Sequence, residues 1–291
     1  MSGRPATLHC AWQDPVGSAP AFSTRPAAIR PQRTALKKQA SPKPPRNLDK
    51  HLFESGQQCQ KRLWLDYHEP ADDEQPSTRR AMSVVGQQLL TLARSVFPKG
   101  VTIEGKTTTK AAEETKTQLA AGTPVLFGAT FVSDGVEVQS DILVLHKDGQ
   151  VDLYEVKSGT KIKHRYVNDL ALQVHVVEAC GHRVRAVFLL HLNPKYAHKE
   201  GIDFPPMQLL RSADVTTKVR KQGSLLQRRL AQFRACLDDP KTAARIEADK
   251  ASFKSTGAHG LPTVFVNTQR IEGAQEADVY RDAIKKELGE R

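Results

Sequence analysis

The sequence predicts an α/β protein, a mixed β-sheet flanked by helices, followed by a short β-β-α segment. Three observations carry this. Residues 136–146 and 151–157 are strand-like runs separated by Lys147-Asp148-Gly149-Gln150, a strong hairpin signal. Residues 78–97 place Val85, Leu89, Leu92 and Val96 at i, i+4, i+7 and i+11, a single apolar stripe. Residues 184–192 are a mostly apolar run that follows a helix-like stretch with Leu170, Val174 and Val177 on one side.

In chain order, residues 1–47 are rich in Pro, Ala, Ser, Arg and Lys and show no periodicity. Such a segment cannot bury enough surface to offset its ordering entropy, so a disordered basic tail is expected. From residue 48 the composition changes. Leu52, Phe53, Leu63, Trp64 and Leu65 supply apolar anchors, and Ser55 is placed to cap a short helix running through Cys59 to Tyr67. A loop with Asp72, Asp73, Glu74 and Pro76 precedes the helix of residues 78–97, which Pro98-Lys99-Gly100 ends. A helix over 108–121 stops at Gly122, and a strand over 124–132 leads into the hairpin. Ser158 to Arg165 reads as a basic loop, 168–180 as a helix ended by Gly181, and 214–236 as one long basic helix. Leu225, Leu226, Leu230 and Phe233 fall on its apolar side.

The chain has 291 residues, a formal net charge of +11 and a pI near 9.5. Such a field favours a polyanionic partner, and nucleic acid is the expected one. No apolar run approaches the length of a membrane span, and the first residues lack the apolar core of a secretory signal. Four cysteines without a C-x-x-C fit free thiols in a reducing compartment. A cytoplasmic protein without a membrane partner is expected.

The chemistry lies in the hairpin. Asp141 is in its first strand, and Glu155 and Lys157 are near the end of its second. Strand side chains alternate, so Glu155 and Lys157 share one face while Val156 faces away. Two acids and a lysine on adjacent strands can hold a divalent ion and orient a water beside it. Register decides whether they converge. A two-residue Asp148-Gly149 turn would set Asp141 opposite Val156, on the wrong face. A three-residue loop or a bulge sets it opposite Glu155 or Lys157.

Ser140-Asp141 followed by Glu155-Val156-Lys157 resembles the core motif of the PD-(D/E)XK nucleases. Tyr154-Glu155-Val156-Lys157-Ser158-Gly159, with Gln173 on the next helix, is similar to the RecB-type branch. The likeness is closest to a bacterial family of unknown function within it. The runs from Phe53 to Leu65, Ala93 to Gly100 and Leu190 to Tyr196, with Asp214-Val215-Thr216, extend the resemblance over about residues 50–235, within an expected domain of residues 48–235. It implies a metal-dependent DNA phosphodiesterase. Asp141, Glu155 and the Val156 carbonyl would hold Mg²⁺ or Mn²⁺. Lys157 would act on the water, Gln173 would steady the site, and Lys161, Lys163 and Arg165 would meet phosphates at its mouth. The family pattern places a Glu at the position of Gly128, so a catalytically inactive DNA-binding module is a rival reading. Iron–sulfur members pair a Cys near position 59 with three later cysteines. Here Cys180 lies inside the core and Cys236 stands alone, so no cluster is expected and Cys59 reads as a buried small residue.

The stretch 236–291 resembles the second half of a DsbA-type thioredoxin domain through Gly260-Leu261-Pro262-Thr263 and Gly273-Ala274-Gln275. In that fold the proline matching Pro262 is cis and faces the redox cysteines. The unit carrying the Cys pair is absent, so a DsbA-like oxidoreductase would lack both its nucleophile and its resolving thiol.

Overall fold

The computed structural model describes residues 46–70, 77–197, 205–260 and 262–289, which fall in one compact unit. Nearly all of the expected basic tail, the acidic loop at 72–76 and Cys10 lie outside them. Two helices come first, α1 (Lys50–Gln58) and α2 (Gln60–His68). Asp49, not Ser55, caps α1: its carboxylate accepts the Leu52 N–H at 2.8 Å. Ser55 is buried inside the helix and donates to Asp66 at 2.6 Å. The single helix expected here is therefore two, divided at Cys59, whose backbone is extended with φ −163°. Cys59 is exposed rather than buried, because the joining residue belongs to neither helix's packed face.

Helix α3 (Ser77–Arg94) ends earlier than its stripe predicts, so Val96 leaves the stripe. Val85 is 51% exposed, and the packed positions are Leu89, Leu92 and Ala93. Then come β1 (Val101–Thr102), α4 (Thr108–Ala120), β2 (Val125–Ser133), β3 (Val136–Leu145), β4 (Val151–Lys157), α5 (His164–Ala179) and β5 (Val184–Leu192). Helix α5 starts four residues early, taking His164 and Arg165 out of the expected basic loop and into its first turn. After β5 come α6 (Pro206–Leu209) and β6 (Leu210–Asp214), and the one long helix expected over 214–236 is two, α7 (Thr216–Arg220) and α8 (Gly223–Asp238). Strand β6 forms because β5 offers an unpaired edge: Leu189 lies opposite Ala213 and Leu192 opposite Leu210.

The six strands lie in sequence order, β1 to β6, as a mixed sheet. The β1–β2 and β4–β5 pairs are parallel, and the others are antiparallel. One side carries the larger core, where Leu52 and Phe53 of α1, Leu170 of α5 and Phe233 of α8 meet Leu143, Leu153 and Leu189. The rings of Phe53 and Phe233 meet edge to face, 5.9 Å apart. A Cβ on Gly56 would lie 2.7 Å from the Phe233 ring, so that approach requires glycine. The other side is smaller: Leu89 and Ala93 of α3 cover Ile142, Leu190 and Leu210.

The C-terminal segment has the β-β-α order its sequence suggests. Helix α9 (Pro240–Ser255) leads to β7 (Thr263–Val266), antiparallel to β8 (Gln269–Glu272), and then α10 (Ala277–Leu288). The Pro262 carbonyl accepts the Gly273 N–H at 2.8 Å. Helix α8 runs through the expected boundary at residue 235, and α9 is tied to α2 and its C-cap by an ion pair of Lys61 with Asp249 and a 2.6 Å ion pair between Lys250 and Glu69. Among the described residues, no helix is long and apolar enough to cross a membrane.

Candidate active site

The hairpin takes the register that the site needs. His146 N–H donates to the Gln150 carbonyl at 2.8 Å, and Gly149 N–H donates to His146 at 2.9 Å. This leaves a three-residue loop of Lys147, Asp148 and Gly149, with Gly149 at φ 78°. Leu145 then lies opposite Val151 and Ile142 opposite Tyr154. One step further, the same register sets Asp141 opposite Glu155.

The ladder ends there, and Asp141 fills the gap: its Oδ2 accepts the Val156 N–H at 2.7 Å. On the other side of β3, the register that pairs Phe127 with Ile142 and Ala129 with Ser140 puts Gly128 beside Asp141. Gly128 has φ 73°, which a glutamate adopts only with strain. The left-handed residue also reverses the strand's phase, so Leu126 and Ala129, three apart, both face the larger core. Glycine at this position is part of how β2 is built. It also means that the carboxylate implied by the resemblance is absent.

Around Asp141 the structure gathers Glu155, Lys157 and Gln173, as expected. Glu155 and Lys157 continue the side of β4 that Val151 and Leu153 bury against the larger core. Lys157 pairs with Glu155 Oε1, and Gln173 Nε2 donates to Glu155 Oε2 at 2.8 Å. Gln173 Oε1 is buried without a partner among the described residues.

Two further side chains complete the cluster, and neither is among the site residues expected from the sequence. Asp169 lies one helical turn before Gln173 on the same face of α5 and pairs with Lys157 at 3.3 Å. That spacing was a readable signal. Lys50, at the start of α1, pairs with Asp169 and lies 2.7 Å from Glu155 Oε1, across 105 residues of chain. Nothing in the local sequence marks it.

Electrostatics separates the three acids. Burial alone would push Glu155 up, but the charges of Lys157 and Lys50 outweigh it and bring its carboxyl down to about 2. Burial, then the charge of Glu155, pushes Asp141 up to about 7 and Asp169 up to about 6. Burial opposes the charge on Lys50, yet Glu155 and Asp169 hold its ammonium protonated well above the usual lysine range. Glu155 is thus the permanent anion, and Asp141 gives up its proton close to neutrality.

Asp141 and Glu155 open onto a cavity of about 560 Å³, whose walls also carry Lys50, His51 and Lys106. Lys161, Lys163 and Arg165 are exposed around the start of α5 and do not line it. Arg165 and Lys157 both lie near the Tyr166 ring, 5.2 and 5.4 Å from its centre. The Val156 backbone meets Asp141 through its N–H. A separate buried acid, Asp152, is paired with Arg185 and hydrogen-bonded to His146, and the Arg185 pair fastens β4 to β5.

The oxygen donors of Asp141 and Glu155 suit a hard divalent ion, and Asp141 Oδ1 takes no hydrogen bond among the described residues. Glu155, by contrast, has both oxygens engaged by protein cations and an amide. Among the described residues no group of three or more His, Cys, Asp or Glu side chains is arranged to hold a metal. The donor types therefore fit Mg²⁺ or Mn²⁺, but the ion must displace an ammonium from Glu155.

The raised Asp141 carboxyl has a measurable consequence. Unfolded, it ionises near pH 4; folded, near 7. Between these values the folded state holds the extra proton, so this group's contribution to stability falls as pH rises from about 4 to about 7. Asp141→Asn keeps an acceptor for Val156 and removes that loss. In EDTA the variant should melt higher than the parent at pH 8, by about 1 kcal/mol or more, roughly 2–4 °C. At pH 4 the gain should nearly vanish. An equal gain at both pH values would contradict the shared burial of the two acids.

No family model and no curated protein matches the chain. Among solved structures it matches one titled "Crystal structure of SSO0001" at 9% sequence identity, with a TM-score of 0.21. That match covers 48% of this chain and 85% of the other. A likeness at that level carries no argument about function.

Proposed function

We propose that the chain is a divalent-metal-dependent phosphodiesterase acting on DNA. One observation carries the reading: the three-residue hairpin loop brings Asp141 opposite Glu155 at the wall of an open cavity, and Lys157, two residues along the same face, pairs with Glu155. Asp141 and Glu155 would hold Mg²⁺ or Mn²⁺. Bound there, such an ion supplies a Lewis acid for the phosphate and makes a water more acidic. Lys157 orients that water and offsets charge developing on the phosphate. Gln173 fixes the second oxygen of Glu155, so that Oε1 faces the cations. Lys50 and Lys106 supply positive charge for the substrate backbone, and His51 lines the same wall.

A DNA-binding module without catalysis is the second reading. It is favoured by the absence of an acid at Gly128 and by the double engagement of Glu155. A thioredoxin-type oxidoreductase has less support: Cys59, Cys180 and Cys236 are all free thiols. The deciding experiment incubates the full chain with supercoiled plasmid and with a single-stranded oligonucleotide, in Mg²⁺, Mn²⁺ or EDTA. The expected result is cleavage in metal only, lost in Asp141→Asn. Retarded but intact DNA would replace the nuclease with the binding module. Neither cleavage nor retardation would remove both.

A further inference from the structure

The acid cluster contains more protein cations than a metal-binding pair of carboxylates needs. Lys157 already neutralises Glu155 from within the same strand, and its side chain is only 15% exposed. Lys50 duplicates that contact on the same oxygen, Oε1, from a different helix. It differs from Lys157 in two ways. Its side chain is 41% exposed, and it lines the cavity together with Asp141 and Glu155, whereas Lys157 does not. Lys50 also has a second anchor in Asp169, a side chain only 3% exposed, whose Oδ2 holds both ammonium groups.

Resting on the nuclease reading, we infer that Lys50 is an internal cation competing with the divalent ion for Glu155, and that Asp169 retains the displaced ammonium at the cavity wall, where it receives a substrate phosphate. The reasons are steric and electrostatic. An ion shared by Asp141 and Glu155 needs an oxygen that now accepts from Lys50, and two cations a few ångströms apart repel strongly in a partly desolvated site. Lysine carries a compact charge on a flexible stem, so it can leave one carboxylate and stay on another. Asp169 pairs with Lys50 and Lys157, and it is Lys50 that borders the cavity. The phosphate backbone thus meets a cation delivered from α1, in addition to His51 and Lys106 from the cavity wall.

The test uses the full chain, Lys50→Ala and Lys50→Gln, the second of which keeps most of the side chain and a hydrogen-bond donor at its end without the charge. Mn²⁺ affinity is measured by calorimetry without DNA, and KM for an oligonucleotide is measured in saturating Mn²⁺. Folding is checked by circular dichroism, so that Lys50→Gln alone decides if the alanine variant is misfolded. The expected results are about tenfold tighter Mn²⁺ binding in the variants and a severalfold higher KM. Unchanged or weaker Mn²⁺ binding overturns the competition and leaves the nuclease reading standing if the parent cleaves DNA. Tighter binding with unchanged KM overturns the phosphate role. Mn²⁺ binding only in the variants, with no cleavage by any protein, supports the competition and removes the nuclease reading. No Mn²⁺ binding by any of them overturns both.

Discussion

Lys157→Ala is expected to lower metal-dependent DNA cleavage by about 10²- to 10³-fold, the usual effect of removing one group that stabilises developing charge. The fold should survive. Lys157 is the last residue of β4, its ammonium lies at the rim of the Tyr166 ring rather than in the apolar core, and Lys50 remains on Glu155. Initial rates in Mg²⁺, with circular dichroism as the control for folding, check this. A folded Lys157→Ala protein that cuts DNA within about threefold of the parent rate would end the assignment of Lys157 to the chemistry.

Glu155→Ala should act on stability as well as activity. Glu155 is 3% exposed and receives Lys50, Lys157 and Gln173. Among the described residues, removing it leaves Lys157 and Lys50 with Asp169 as their one acid and deprives buried Gln173 of the acceptor of its amide. Breaking one side of a buried pair typically costs 3–5 kcal/mol. Because Lys50 is substantially solvated, the expected loss is at the lower end, about 3 kcal/mol, together with loss of cleavage. Urea unfolding at pH 7 measures it. A loss under about 1 kcal/mol would mean that Glu155 does not hold the two lysines in a desolvated cluster.

Local signals were read correctly where local physics decides. The hairpin, α4 and β5 follow from alternation, periodicity and turn residues, and their observed bounds differ from expectation by at most a residue or two. Asp141, Glu155, Lys157 and Gln173 were visible because their spacing in two strands and one helix is local. The misreadings have a common cause. Asp214 ends a strand instead of opening a helix because β5 had an edge to pair, and Val85 stayed exposed because the core covers only part of the α3 stripe. Neither fact exists in a window of ten residues.

The sequence by itself determined the α/β class, the hairpin and the identity of the four candidate residues on its two strands and the following helix. Alternation and helical periodicity are properties of the chain, independent of what it packs against. Tertiary structure alone decided three things. The loop closed over three residues, with Gly149 left-handed, and so turned Asp141 toward Glu155. Gly128 took a conformation that excludes an unstrained carboxylate beside them. Lys50 reached across from α1 to the same oxygen that a metal would need. Each depends on register or on contacts between distant segments. Those are set by burial of the whole sheet against α1 and α5, and no single stretch of sequence encodes them.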